Sequence, residues 1–402
     1  MTTAPPAFAI GRLPRITFGA GRLAEVPAIV AGHGSRVLLV TGGRSFRASN
    51  AFASLEQGLD AAGVTLVGSV SVTGEPGPRD IEQALERYRD ADVQVVLGVG
   101  GGSVLDTSKA IAGLLRSGTN LMDHLEGVGR GLPYPGPAVP IVAVPTTAGT
   151  GSEATRNAVI STRGPDGYKR SFRDERLVPA DAVVDPELLA GAPRELIAAN
   201  GLDALTQLIE SSTSQRATPF TDGLVRSGLI AARRGLLAWH AEPDGVAAPE
   251  ARSNMAYAAL ISGVALANAG LGAVHGLASP LGARLPIPHG IACGAVLWQT
   301  IRSNIEALED RAPESPALGR YGEIGRLLGD LPAGTSDRDA CNALVDTLYA
   351  WTERLEVPGL ASFGMRADDI PAVVADSPGS SMRTNPIVLS DDELKTILNE
   401  AL

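Results

Sequence analysis

The first 186 residues alternate short runs of β-branched and aliphatic side chains with amphipathic stretches. Val37–Val40, Leu66–Val72, Val93–Val99, Ile141–Val144 and Ala182–Val184 are nearly continuous in apolar residues. Each gives way to Gly, Thr, Asp or Pro, as in Thr41-Gly42-Gly43, Gly100-Gly101-Gly102 and Pro145-Thr146-Thr147. Such runs predict strands buried on both faces of a parallel sheet. Arg79–Asp90 and Ser103–Leu115 lie between them with helical periodicity, and the alternation predicts a doubly wound α/β domain. After Pro193 the texture changes. Segments 195–213, 219–238, 251–269 and 275–285 are rich in Ala, Leu and Gly, with a helical repeat and few β-branched runs. The expectation is an α/β domain over residues 1–188 and an all-helical domain over 189–402.

Composition narrows the classes of function. Of 402 residues, 44% are hydrophobic and 19% charged, enough apolar surface for two sizeable cores. Lys and Arg total 34 against 44 Asp and Glu, a net charge of −10 that argues against nucleic acid or an anionic membrane as partner. Cys293 and Cys341 are the two cysteines, too few for a disulfide framework and not in a CxxC pair. Met1–Ile16 has no cationic segment followed by an apolar one, and no window approaches 18 continuous apolar residues. A cytoplasmic location is the expectation.

Three clusters could carry chemistry. The first is the glycine run from Gly98 through Ser103, Asp106 and Lys109. A glycine run between a strand and a helix lets backbone N–H groups approach a pyrophosphate. A tight strand-to-helix turn would read the same way, and Ser103 stands where GxGxxG requires a third glycine. The second is Pro145-Thr146-Thr147-Ala148-Gly149-Thr150-Gly151-Ser152-Glu153, which sets hydroxyls at the carboxyl edge of the sheet, where open α/β sheets bind ligands. The third is Asp203 with Gln207 one helical turn later, together with His275 and His289 in glycine-flanked apolar surroundings. One carboxylate, one amide oxygen and two imidazoles suit a borderline divalent ion, although each residue alone also fits an ordinary core or surface role.

GGGSVLDTSKAIA at 100–112, PTTAGTGSEAT at 145–155, Lys169 ahead of LVPADAVVDPEL at 177–188, GLDALTQLIE at 201–210 and VHGLASPLGA…IPHG at 274–290 resemble the iron-containing (group III) alcohol dehydrogenases. The motifs run in family order over roughly residues 15–400. The resemblance implies an N-terminal nucleotide-binding α/β domain, a helical C-terminal domain, and hydride transfer between NAD(P) and a small alcohol or aldehyde, commonly in a homodimer. It implies that Gly101, Gly102 and Ser103 hold the pyrophosphate, and that Thr146, Thr147 and Thr150 line the cofactor. Lys169 would bond the nicotinamide ribose, with Gly42, Gly43, Asp106 and Ser152 completing the cofactor set. Asp203, His275 and His289 match three of the four family ligands for Fe²⁺ or Zn²⁺, with Gln207 at the fourth, where the family usually has His. Ser279 stands where the family usually has a further His for proton relay. His275 and Ser279 are therefore the expected catalytic pair.

Two consequences follow from departures of this kind. A carboxylate at the end of the first strand would bond the adenosine 2′-OH and repel a 2′-phosphate, and Thr41-Gly42-Gly43-Arg44-Ser45 contains none. Acceptance of NADP(H) is the expectation. Gln207 and Ser279 also leave open two alternatives: a metal-independent reductase of a keto or unsaturated acid, like the maleylacetate reductases, and a nucleotide-binding regulator without turnover. In the first of these, Arg156 and Arg170 could pair with a substrate carboxylate.

Overall fold

The computed structural model describes residues 6–164 and 167–402. They form two compact units, one built on Gly11–Thr162 with Gly167–Ala190, the other on Gly191–Leu402.

The first unit contains eight strands: β1 Arg15–Phe18, β2 Arg36–Gly42, β3 Thr65–Val72, β4 Val95–Gly100, β5 Ile141–Pro145, β6 Asn157–Thr162, β7 Tyr168–Arg173 and β8 Asp181–Val184. Its helices are α1 Val26–His33, α2 Asn50–Ala61, α3 Pro78–Tyr88, α4 Gly102–Leu114 and the short α5 Leu121–His124. Six strands form one parallel sheet in the order β1-β8-β5-β4-β2-β3, and β6 and β7 form a separate antiparallel hairpin. Alternate side chains of the central strands enter opposite cores. Leu38, Val40 and Val96 pack with α3, α4 and the hairpin residues Ile160 and Phe172, while Val37, Leu39, Val95, Leu97 and Val99 pack with α1 and α2. This two-sided burial is why the strands read as continuous apolar runs.

The second unit is helical: α6 Arg194–Thr213, α7 Pro219–Ala241, α8 Ala248–Ala269, α9 Ala273–Arg284, α10 His289–Arg311, α11 Pro316–Leu328, α12 Asp337–Arg354, α13 Ile370–Asp376 and α14 Asp391–Glu400. Among the described residues no strand follows Val184. Among the described residues no single helix is long and apolar enough to cross a membrane.

The sequence reading did not find β1, a half-exposed edge strand of four residues, or the β6–β7 hairpin, whose polar positions hide the period-two pattern. It also began the fourth strand two residues early, because Val93 is buried at the strand's approach without joining the ladder.

Candidate functional site

In the first unit, β2 and β4 are neighbours whose onward connections run in opposite directions across the sheet, to β3 on one side and β5 on the other. The crevice beyond the carboxyl ends of such a strand pair is where open α/β sheets bind nucleotides. Gly42-Gly43 leaves β2 there, and Gly101 leaves β4 one residue before α4 begins. Gly101 caps α4 without a side-chain hydrogen bond, so no capping side chain takes the first N–H groups of the helix, the groups that bind anions at a helix N-terminus.

The loop after β5 closes against this turn. The Thr146 N–H donates to the Gly100 carbonyl at 3.0 Å, and the Ser152 hydroxyl donates to Asp106 Oδ1 at 2.6 Å. A Cβ on Gly102 would lie 2.6 Å from Thr150 Cγ2, so glycine is needed for the two loops to approach. Asp106 also sits 3.2 Å from the fully buried Lys109 ammonium, which donates to Thr155 Oγ1 and the Asn157 carbonyl. The structure thus brings Gly101, Gly102, Ser103, Thr146, Thr147 and Thr150 together at the edge, whereas Asp106 and Ser152 are engaged with each other and brace the loops. Lys169 lies on β7, ion-paired with Glu75 at 2.7 Å. Arg156 is ion-paired with Glu175.

In the second unit, Asp203 and Gln207 occupy one face of α6, His275 lies in the first turn of α9, and His289 opens α10. The close approach of α10 to α6 depends on glycine: a Cβ on Gly290 would lie 1.8 Å from the Ala199 carbonyl oxygen. That approach sets the imidazoles beside the carboxylate. His275 Nε2 is 3.2 Å and His289 Nε2 3.8 Å from Asp203 Oδ1.

Two residues absent from the sequence-level site join the cluster. Cys293, one turn after His289, places its sulfur 3.8 Å from His275 Nε2 and 3.9 Å from His289 Nε2. One donor atom each from Asp203, His275, His289 and Cys293 lies within 4.8 Å of the others. Glu210, two turns beyond Asp203 along α6, accepts from the Val274 N–H at 2.7 Å and sits 2.6 Å from His275 Nδ1. A carboxylate on Nδ1 fixes the tautomer and leaves Nε2 aimed at the cluster, the arrangement found behind metal-bound imidazoles. The i,i+4 spacing of His289 and Cys293 and the glutamate seven residues after Asp203 were the available signals.

Gln207 is hydrogen-bonded at both ends of its amide. Its amide nitrogen donates to Asp203 Oδ1 at 2.9 Å, and its oxygen accepts from the Ser262 hydroxyl at 2.6 Å. Ser279 lies partly buried one turn after His275 on α9.

Electrostatics follow from burial and partners. Burial alone would raise the Asp203 pKa, yet the bonds from His275 and Gln207 and the nearby His289 hold it below the ordinary value. Burial also opposes a charged His275, but Cys293, Glu210 and Asp203 outweigh it and hold the ring's proton tightly. The Cys293 thiol is pushed up by burial, against the pull of His275. Two buried carboxylates sharing one imidazole in this way form a concentrated negative site, which a cation in place of the proton satisfies. A carboxylate oxygen, two imidazole nitrogens and a sulfur are a donor set suited to Zn²⁺ or Fe²⁺.

The comparisons with known proteins cover both units. The family model described as iron-containing alcohol dehydrogenase matches residues 14–186, and that for the C-terminal part of the Fe-containing alcohol dehydrogenase family matches 197–402. An NAD-dependent methanol dehydrogenase from Bacillus methanolicus is 28% identical over 400 residues, 99% of this chain and 98% of that protein. A lactaldehyde reductase from Escherichia coli (strain K12) is 31% identical over 364 residues, 89% of each. The crystal structure of a 1,3-propanediol oxidoreductase superposes with a TM-score of 0.87 at 28% identity, covering 99% of this chain and 100% of that one.

Proposed function

The chain belongs to the iron-containing alcohol dehydrogenase family, and on that premise we propose that it transfers hydride between a nicotinamide dinucleotide and a small alcohol or aldehyde, with a divalent metal ion held by Asp203, His275 and His289. The observation that carries the reading is the buried cluster itself. Three donors from three helices converge, and Glu210 sits on His275 Nδ1, so Nε2 is the nitrogen left to exchange its proton for an ion.

When bound, the ion supplies Lewis-acid polarisation of the substrate oxygen, and the dinucleotide supplies the hydride acceptor or donor. The chain's own residues do the rest. Glu210 orients His275, and Gln207 orients Asp203, so the donors need little rearrangement. The N-terminal turn of α4, with Gly101, Gly102 and Ser103, directs N–H groups to the pyrophosphate, and Thr146, Thr147 and Thr150 supply hydroxyls beside it. Ser279 offers a hydroxyl that passes a proton without storing one near neutral pH. Gly42-Gly43-Arg44 carries no carboxylate beyond β2, which supports acceptance of a 2′-phosphorylated dinucleotide.

The test is direct. Purified protein supplied with Fe²⁺ or Zn²⁺, NAD⁺ or NADP⁺ and a panel of short-chain alcohols should generate the near-ultraviolet absorbance of reduced nicotinamide, and aldehydes should consume it. Tight dinucleotide binding without turnover on any alcohol or aldehyde would overturn the reading in favour of a non-catalytic binder.

A further inference from the structure

Cys293 occupies a position on α10 that mirrors Gln207 on α6. Each lies four residues after a donor, His289 or Asp203, and therefore on the same helical face as that donor. Gly290 and Gly294 pack α10 onto Ala199 and Leu202 of α6, so the face bearing His289 and Cys293 is turned to the carboxylate. The thiol is completely buried, and its sulfur lies within 4.8 Å of donor atoms of two imidazoles and Asp203.

The separations allow a simple geometric test. Four donors bonded to one tetrahedral ion at about 2.0–2.3 Å lie roughly 3.3–3.6 Å from one another. Four of the six edges are 3.2 Å and 3.8 Å from Asp203 to the two imidazoles, then 3.8 Å and 3.9 Å from the sulfur to the same nitrogens. These four lie a few tenths of an ångström from those of a closed site, and the remaining two are within 4.8 Å. Gln207 is engaged otherwise. Its oxygen accepts from Ser262 and its nitrogen donates to Asp203 Oδ1, so the amide would have to give up both bonds and turn over to offer the ion its oxygen.

Resting on the metal reading above, we propose that the Cys293 thiolate is the fourth protein donor to the ion, and that Gln207 is a positioning residue that holds Asp203. On binding, the S–H bond is broken, its proton leaves to solvent, and the sulfur lone pair bonds the ion. A thiolate is a softer donor than an amide oxygen, so the site should select Zn²⁺, Co²⁺ or Fe²⁺ over Mg²⁺ or Mn²⁺.

The test uses the full chain, stripped with a chelator and titrated with Co²⁺. Wild type should take up one equivalent and develop an intense near-ultraviolet band from charge transfer between thiolate and cobalt. Cys293→Ser should lose that band and bind Co²⁺ at least about 10-fold more weakly. In the double variant Cys293→Ala with Gln207→His, affinity should return without the band. That variant separates loss of a donor from loss of folding. One equivalent of Co²⁺ bound by wild type without the band, or with an unchanged spectrum in Cys293→Ser, would overturn the thiolate donor and leave the metal reading standing. Failure of wild type to bind Co²⁺ at all would overturn both.

Discussion

At the turn after β4 the groups offered to a ligand are backbone N–H donors and short hydroxyls, contributed by two loops, each a single short stretch of sequence. In the helical unit every donor is a side chain, and the donors come from α6, α9 and α10 across some ninety residues, from Asp203 to Cys293. A site made of backbone is set by where glycine permits the chain to run. A site made of side chains is set by how helices pack, and one donor can be exchanged for another wherever a neighbouring helical position reaches the same point. Cys293 on α10, proposed as the donor in place of Gln207 on α6, is the instance in this protein. The lesson is that the phosphate end should be intolerant of local change but independent of the metal, while the donor cluster should tolerate compensation between positions.

The sharpest way to break that comparison is His275→Ala. Polarisation by a metal ion is worth several kcal/mol at the transition state, so turnover should fall by about 10³-fold with loss of bound metal. Dinucleotide affinity, measured by fluorescence titration, should stay within about twofold if the two sites are built independently. Glu210→Gln comes next. It removes the anion behind His275 Nδ1 while keeping the side chain's shape, and metal affinity should drop by about 10–100-fold with a nearly unchanged melting temperature. An unaltered affinity would mean that Glu210 serves only to cap α9.

Gly102→Ala is the reciprocal probe. The new Cβ would press on Thr150 and hold the two loops apart, so the dinucleotide dissociation constant should rise about tenfold, roughly 1.4 kcal/mol, with metal content unaffected. Coupled loss of metal would contradict the independence claimed above. The smallest effect concerns the 2′-phosphate. With no carboxylate after β2, the Michaelis constants for NADPH and NADH should differ by less than about tenfold.

Much of this was legible in the sequence for reasons that differ between the units. The four inner strands announced themselves because burial on both faces leaves no polar position to interrupt the run, as in Val37–Val40 and Val95–Val99, while the edge strand β3 showed through its alternating valines. The hairpin Asn157–Thr162 with Tyr168–Arg173 did not, because one side of it carries Lys, Arg and Ser. In the helical unit, Asp203, His275 and His289 stood out by chemistry and by motif. Cys293 did not, because a single buried cysteine in an Ala- and Gly-rich helix looks like a small apolar residue until Gly290 is seen to lay α10 against α6. Glu210 was equally hidden, since a glutamate in a helix is ordinarily a solvated charge. Gln207 was read as a donor from its spacing and from its place in the family's ligand set, and neither shows that its oxygen accepts from Ser262 on α8.

The measurement that bears most directly on the account is activity followed through exhaustive chelation and stepwise return of Fe²⁺ or Zn²⁺, with metal content determined by elemental mass spectrometry at each step. The account predicts that turnover disappears with the metal and returns in proportion to one equivalent re-bound per chain. Full alcohol–aldehyde turnover in protein shown to be metal-free would contradict it.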